Sequence, residues 1–325
     1  MEKYSQFRDK GSGISPFLPI STPTSLMWRI IGTWLFILRF PFFVLVCASF
    51  FLVLDHLPIP AVGRKLLLWL ILAIPGVWWI DLQLDGVRRG ALSQQDPSRF
   101  PREHAVIAAQ FTSPIDAIYL ASIFDPIFVI SYPGTRKVQR VSLFRAATLA
   151  LAPPTTTAPA TGLTDLRTLV RDNPHRVIAV FPEMTTTNGK GILPLSTSLL
   201  TVPEDAKIFP VSLRYTAPDI TTPIPGAWMS FLWNLLSRPN HYIKVRIAEG
   251  VSLTPASLKG GVYEEGPAEK DVTADPTDAT ADEQHVLDHI SDSLARLSRN
   301  KRVGLDLYDK IDFVSAWSRE QGKRR

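Results

Sequence analysis

The chain has 325 residues, of which 46% are hydrophobic and 20% charged, with a formal net charge of +5. That length supports one sizeable core with an attached anchoring region, and the concentration of apolar residues before position 81 argues against a transporter with many spans. The basic balance favours an anionic membrane surface as partner; no Lys/Arg stripe with interleaved aromatics supports a nucleic-acid reading, and the single cysteine, Cys47, leaves no disulfide framework, Cys-based metal site or redox pair.

Residues 1–24 read as an N-terminal tail. Lys3, Arg8, Asp9 and Lys10, followed by Gly and Pro, do not make a signal peptide. Residues 25–90 hold two apolar runs. The first covers 30–38 and 40–54 with Arg39 between, and the second covers 66–80. The turn between them contains Asp55, His56, Leu57, Pro58, Ile59 and Pro60. A bilayer crossing takes about 20 consecutive apolar residues, more than either uncharged stretch supplies. The expectation is a membrane-embedded helical hairpin that enters one leaflet with both ends on one side. Arg39 snorkels, Pro41 kinks the first arm against protein neighbours, and Arg88 and Arg89 sit near anionic headgroups. Two full spans, or two buried core helices, are the alternatives.

Residues 91–300 change character after an acidic-polar linker at 94–102. Short, β-branched, mostly apolar runs occur at 104–110, 127–131, 177–181, 207–213 and 242–248, as in strands buried on both faces. Helix-like stretches lie at 114–123, 141–150 and 163–171. This alternation predicts an α/β domain, a largely parallel or mixed sheet covered by helices, with active groups beyond the carboxyl ends of the strands. The segment 153–161 is a Pro/Thr/Ala loop, 260–282 a flexible solvated insertion, and 284–298 a helix packed on the sheet. The apolar stretch 228–236 suits core burial or a second membrane contact, since its Trp residues fit an interface. Residues 301–325 read as a C-terminal tail.

Two polar constellations follow strands. Gln110, Phe111, Thr112, Ser113, Pro114, Ile115 and Asp116 come after the first; Phe181, Pro182, Glu183, Met184, Thr185, Thr186, Thr187, Asn188, Gly189, Lys190 and Gly191 come after the third. A Pro-interrupted strand, Lys207, Ile208, Phe209, Pro210, Val211, Ser212 and Leu213, follows later. In order, spacing and context these blocks resemble the glycerolipid acyltransferase family, particularly fungal lysophosphatidic acid acyltransferase-like proteins of the endoplasmic reticulum and lipid droplets. The resemblance covers about residues 25–300.

It implies acyl transfer from acyl-CoA, as co-substrate and with no cofactor, to lysophosphatidic acid or another lysophospholipid at a membrane or lipid-droplet surface, with the globular domain facing the cytosol. The family's first motif sets a His five residues before an Asp. The His takes the acceptor's proton and the Asp orients it. Here Asp116 matches the Asp, but Phe111 stands in the His position and can do neither job. The other histidines offer no replacement: His104 is seven residues upstream, His175 and His241 precede strands, and His285 and His289 read as helix-surface residues. By the same resemblance Glu183, Thr185, Thr186, Asn188, Gly189 and Lys190 hold the acceptor. Arg136, Lys137 and Arg140 bind its phosphate or form an exposed basic face. Met184 stands where the family has Gly. Thr112 and Ser113 read as helix caps. No metal-ligand spacing or dinucleotide fingerprint competes. The alternative is a non-catalytic lipid-binding or organising protein on an acyltransferase scaffold, which Phe111 favours.

Overall fold

A 27-residue helix, α1 (Leu26–Leu52), dominates the first part of the chain. The computed structural model describes residues 2–23, 25–54, 57, 60–87, 94–253 and 279–324. The hairpin turn at 55, 56, 58 and 59, Arg88 and Arg89, and positions 260–278 of the insertion lie outside the described residues. Helix α1 starts at Ser25, whose side chain caps the Trp28 amide, and continues through Pro41. With a mean hydropathy of 2.3 it is long and apolar enough to cross a membrane.

The expected hairpin does not form. The second apolar run splits into a 13-residue helix, α2 (Ala61–Ala73), and a strand, β1 (Val77–Leu84). The break falls at Gly76, where φ is +87° and an added Cβ would lie 2.3 Å from the Pro239 carbonyl oxygen, so only glycine fits. Helix α2 buries Leu68, Ile71 and Leu72 in the main core, and Lys65 Nζ donates to the Ile123 carbonyl at 2.8 Å. An unbroken apolar run does not distinguish a lipid-facing helix from a core helix joined to a buried strand. One long apolar helix remains.

That helix lies along the domain. Gly32 approaches Ser237, the Phe36 ring packs on Trp233 with centroids 5.1 Å apart, and Phe50 is buried in the core. The Arg39 guanidinium donates to the carbonyls of Pro75 at 3.3 Å and Pro239 at 3.1 Å, and also to that of Arg238. Its charge therefore rests on protein dipoles, not in lipid. The opposite face exposes Leu26, Trp34, Ile37, Leu38 and Leu45.

The remaining elements are β2 (Ala105–Ala109), α3 (Pro114–Phe124), β3 (Ile127–Ser131), β4 (Val138–Val141), α4 (Leu143–Leu149), β5 (Leu163–Thr164), α5 (Leu166–Asp172), β6 (Ile178–Val180), β7 (Gly191–Ile192), β8 (Lys207–Tyr215), α6 (Trp228–Leu236), β9 (His241–Ile247), β10 (Val251–Ser252), α7 (Ala281–Ser298), β11 (Lys301–Arg302) and α8 (Leu307–Arg324). The main sheet runs β1-β9-β8-β2-β6-β3-β4-β5, with β10 beside β8; β7 and β11 form a separate pair. Strands β8, β2, β6 and β3 are mutually parallel and β1 parallels β9, while β9, β4, β5 and β10 introduce antiparallel pairings. The fold is α/β, with a mixed, mostly parallel sheet covered by helices.

Side-chain alternation divides the core in two. On β2, Ala105, Ile107 and Ala109 join the cluster shared with α2, α3, α4 and α6, whereas Val106 and Ala108 join the one shared with α5 and α7. Helix α6 is buried on one side, as the core reading of 228–236 expects: Phe231, Leu235 and Leu236 are buried, while Trp228, Met229 and Trp233 are exposed near α1. The range read as a C-terminal tail holds β11 and α8. Phe313 of α8 is buried with Phe7 and Phe17 from the segment preceding α1. Both flanks of α1 therefore belong to the same folded domain.

Candidate active site

The first motif turns out of β2 into α3. Ser113 is the N-cap, with its hydroxyl on the Ile115 amide, and Asp116 reaches back to complete a capping box. Asp116 Oδ2 accepts from the Thr112 amide at 2.7 Å, the Ser113 amide at 2.8 Å and the Thr112 hydroxyl at 3.0 Å. Its other oxygen, Oδ1, accepts from the Tyr215 hydroxyl at the end of β8. The carboxylate is fully buried. Desolvation outweighs the four donors and raises its pKa to about 6. Burial, and then the Asp116 charge, push the Tyr215 phenol well above 10.

The Phe111 side chain belongs to the apolar core. Its ring stacks on Phe181, centroids 4.3 Å apart and planes 23° from parallel, and Phe181 in turn meets Phe128. The position matched to the family's His is thus part of the apolar core.

The second motif leaves β6 through Met184, a non-glycine residue at φ +57°. Met184 stands where the resembled family has Gly, a residue that adopts this left-handed conformation without strain. Glu183 is buried: Oε2 accepts from the Leu193 amide at 3.1 Å, while Oε1 has no hydrogen-bond partner among the described residues. Desolvation raises Glu183 to about 8, against the amides of Leu193 and Phe111. The Thr186 hydroxyl donates to the Thr222 carbonyl at 2.7 Å, and Thr185 is buried beside it. Asn188 is held by the N-terminal segment, its amide nitrogen Nδ2 donating to the carbonyls of Ser15 and Leu18 at 2.8 Å each. Beneath the motif lies Lys310 of α8. It is buried, and its ammonium donates to the Thr186 carbonyl at 2.5 Å and hydroxyl at 2.8 Å. Desolvation lowers its pKa to about 7 despite the opposing field of Glu183.

A cavity of about 460 Å³ opens where β2 and β8 end. Gln110, Thr112, Asn188, Gly189, Lys190 and Tyr215 border it, together with the exposed cations Arg214, Lys244 and Arg299. Among the described residues that line it, none is acidic. Gln110 takes the Ser212 hydroxyl on its carbonyl oxygen at 2.6 Å, and its buried Nε2 has no partner among the described residues. Four cations and an unused amide donor suit a phosphate or another oxyanion.

No family model matches this chain, and no solved structure does. Over 98% of its length, and 99% of the relative's, it aligns at 25% identity with a Schizosaccharomyces pombe protein provisionally named a lysophosphatidic acid:oleoyl-CoA acyltransferase. It also aligns at 26% identity with lysophosphatidic acid:oleoyl-CoA acyltransferase 1 of Saccharomyces cerevisiae, over 60% of this chain and 61% of that one. The chain is homologous to these fungal proteins. At 98% coverage, both α1 and Lys310 fall within the span of the first alignment.

The residues singled out from sequence thus separate into three places. Asn188, Gly189 and Lys190 border the cavity. Asp116, Glu183, Thr185 and Thr186 lie buried around it. Arg136, Lys137 and Arg140 lie elsewhere: Arg136 pairs with both oxygens of Glu283 at 2.7 and 2.9 Å, Lys137 is exposed, and Arg140 borders a different depression beside Arg176. His241 precedes its strand, which suggested the end of the sheet away from the site; because β9 is antiparallel to β8, it stands at the same end as Tyr215. It is nonetheless buried with Nε2 on the Leu235 carbonyl at 2.7 Å, outside the cavity lining. Sequence patterning missed Tyr215, which sits two residues beyond the expected strand. It also missed Lys310, for which a range read as a tail carried no signal.

Proposed function

We propose that this protein transfers a fatty acyl group from acyl-CoA to lysophosphatidic acid, forming phosphatidic acid. The observation that supports this most is the basic cavity at the carboxyl ends of β2 and β8, bordered by both motif segments and by Lys190, Arg214, Lys244 and Arg299. A phosphomonoester headgroup matches such a cluster, and the four cations take the phosphate role that the sequence assigned to Arg136, Lys137 and Arg140. The relatives' names point to oleoyl-CoA as the donor to test first.

In this reading the acceptor hydroxyl attacks the thioester carbonyl and the CoA thiolate leaves. Asp116 supplies the base. Glu183, Thr185, Thr186, Asn188 and Gly189 shape the acceptor side, with Glu183 neutral at pH 7. Losing a general base costs roughly 10²- to 10⁴-fold in rate, while positioning beside an activated thioester preserves part of the acceleration. Helix α1 holds the domain on the cytosolic face of the endoplasmic reticulum membrane or on a lipid droplet, where both substrates partition.

One observation favours a second reading, a lipid-binding protein without turnover: Phe111, at the sequence position of the missing His, is stacked on Phe181 in the apolar core. Purified full-length protein in mixed micelles, given oleoyl-CoA with lysophosphatidic acid or lysophosphatidylcholine, separates the two. Transfer selective for lysophosphatidic acid is expected. Binding of either substrate with no product would support the second reading.

A further inference from the structure

We infer that the acceptor's proton reaches Asp116 through the hydroxyl of Tyr215, which takes the place of the absent histidine. The inference rests on the acyl-transfer reading and assigns a residue to its least explained step.

Asp116 is not among the residues that border the basic cavity, but Thr112 and Tyr215 are, and each has a hydroxyl bonded to its carboxylate. The two routes are not equivalent. Thr112 meets Oδ2, which already takes two backbone amides. An oxygen with three donors has little capacity left for a proton. Oδ1 has Tyr215 as its hydrogen-bond donor among the described residues and keeps a free lone pair. Tyr215 is anchored by its place at the end of β8, directly opposite Ile243 of β9.

The step balances without further reagents. The acceptor O–H bond breaks and its proton passes to Tyr215 Oη as the Tyr215 proton passes to Asp116 Oδ1. The acceptor oxygen bonds to the thioester carbonyl carbon. On collapse the C–S bond breaks, and the departing thiolate takes the proton back from Asp116 through Tyr215, which restores both groups. A tyrosine whose pKa is held well above 10 does not store the charge, so its two transfers are concerted. Asp116, at about 6, is ionised at neutral pH and is a strong enough acceptor to serve. The other titratable groups facing the pair are Tyr119 on α3, which acts on Tyr215, and Glu183, whose proton stays on to about pH 8.

The test uses full-length protein in mixed micelles with oleoyl-CoA and lysophosphatidic acid. Tyr215→Phe should lower kcat by about 10²-fold or more and leave KM for the acceptor within about threefold. The wild-type kcat should rise with pH through about 6, the ionisation of Asp116, and this limb should vanish in the variant. Thr112→Val should cost under tenfold. A folded Tyr215→Phe protein with wild-type kcat overturns the relay while leaving acyl transfer standing. Absence of product from wild type that still binds acyl-CoA overturns the parent reading instead. Should Tyr215→Phe fail to fold, Tyr215→fluorotyrosine changes the phenol's acidity at nearly constant shape. A rate that responds to that change supports the relay, and an unchanged kcat overturns it.

Discussion

Tyr215 and Asp116, 99 residues apart in sequence, share a hydrogen bond between the end of β8 and the first turn of α3. Phe111, at the motif position where the resembled family has its His, is stacked into the core instead. The pairing gives Asp116 a polar partner that also borders the cavity.

Asp116 also makes stability depend on pH. Its folded pKa of about 6 stands above the ordinary 3.8. Between those values the native state holds the proton and the unfolded chain has released it, so stability falls as pH rises from about 4 to about 6. The full change is on the order of 3 kcal/mol. Asp116→Asn keeps an oxygen for the Thr112 and Ser113 amides and does not titrate. Urea unfolding from pH 4 to 7 should show wild type losing ground to the Asn variant over that window. Parallel curves would contradict the assigned shift.

Lys310 ties α8 to the second motif. Lys310→Met keeps the apolar stem but leaves the Thr186 carbonyl without the ammonium. The cost of an unsatisfied buried acceptor is about 1–3 kcal/mol, partly offset by relief from desolvating a cation. Limited proteolysis should cleave within 307–324 faster in the variant, and its Tm should fall. An unchanged cleavage pattern would show that the apolar contacts of Phe313 hold α8 alone.

Met184 occupies a left-handed turn at φ +57°, a conformation costing a side-chain-bearing residue roughly 1–2 kcal/mol. Met184→Gly should raise stability by up to about 1 kcal/mol after the added freedom of the unfolded chain is subtracted. Loss of stability would mean that the Met184 side chain contributes more packing than the turn costs.

Much of the α/β framework was legible because its strands are short β-branched runs; β2, β3, β6, β8 and β9 fall within two residues of expectation. The motifs at 110–116 and 181–191 could be seen to share a cleft for the same reason, each following a parallel strand. The hairpin was not legible. Residues 66–80 are apolar throughout, and only the contact of Gly76 with Pro239, far off in sequence, divides them into α2 and β1. Nor could sequence spacing assign the cavity's cations. Arg214, Lys244 and Arg299 lie on separate elements and meet through sheet pairing and the end of α7. Arg136, which looked available, is taken by Glu283.

The packing of Phe7 and Phe17 against Phe313 places the segment before α1 on the domain that follows it. Both flanks of α1 should therefore lie on one side of a membrane. In a Cys47→Ser background, Lys10→Cys and Ser315→Cys on sealed vesicles should react with an impermeant maleimide from the same side. Labelling of Lys10→Cys only after the vesicles are ruptured would mean that α1 crosses.

Product formation by the purified protein is the most direct measurement. Wild type and the double variant Arg214→Glu/Lys244→Glu, in matched lipid micelles with oleoyl-CoA, are offered lysophosphatidic acid and lysophosphatidylcholine. Wild type should make phosphatidic acid in preference to phosphatidylcholine, and the double variant should lose at least tenfold in kcat/KM for lysophosphatidic acid while keeping its fold by circular dichroism, a loss of about 1.4 kcal/mol in transition-state binding. No product above background from folded, lipid-bound wild type, or equal kcat/KM in the two proteins, would contradict acyl transfer in the basic cavity.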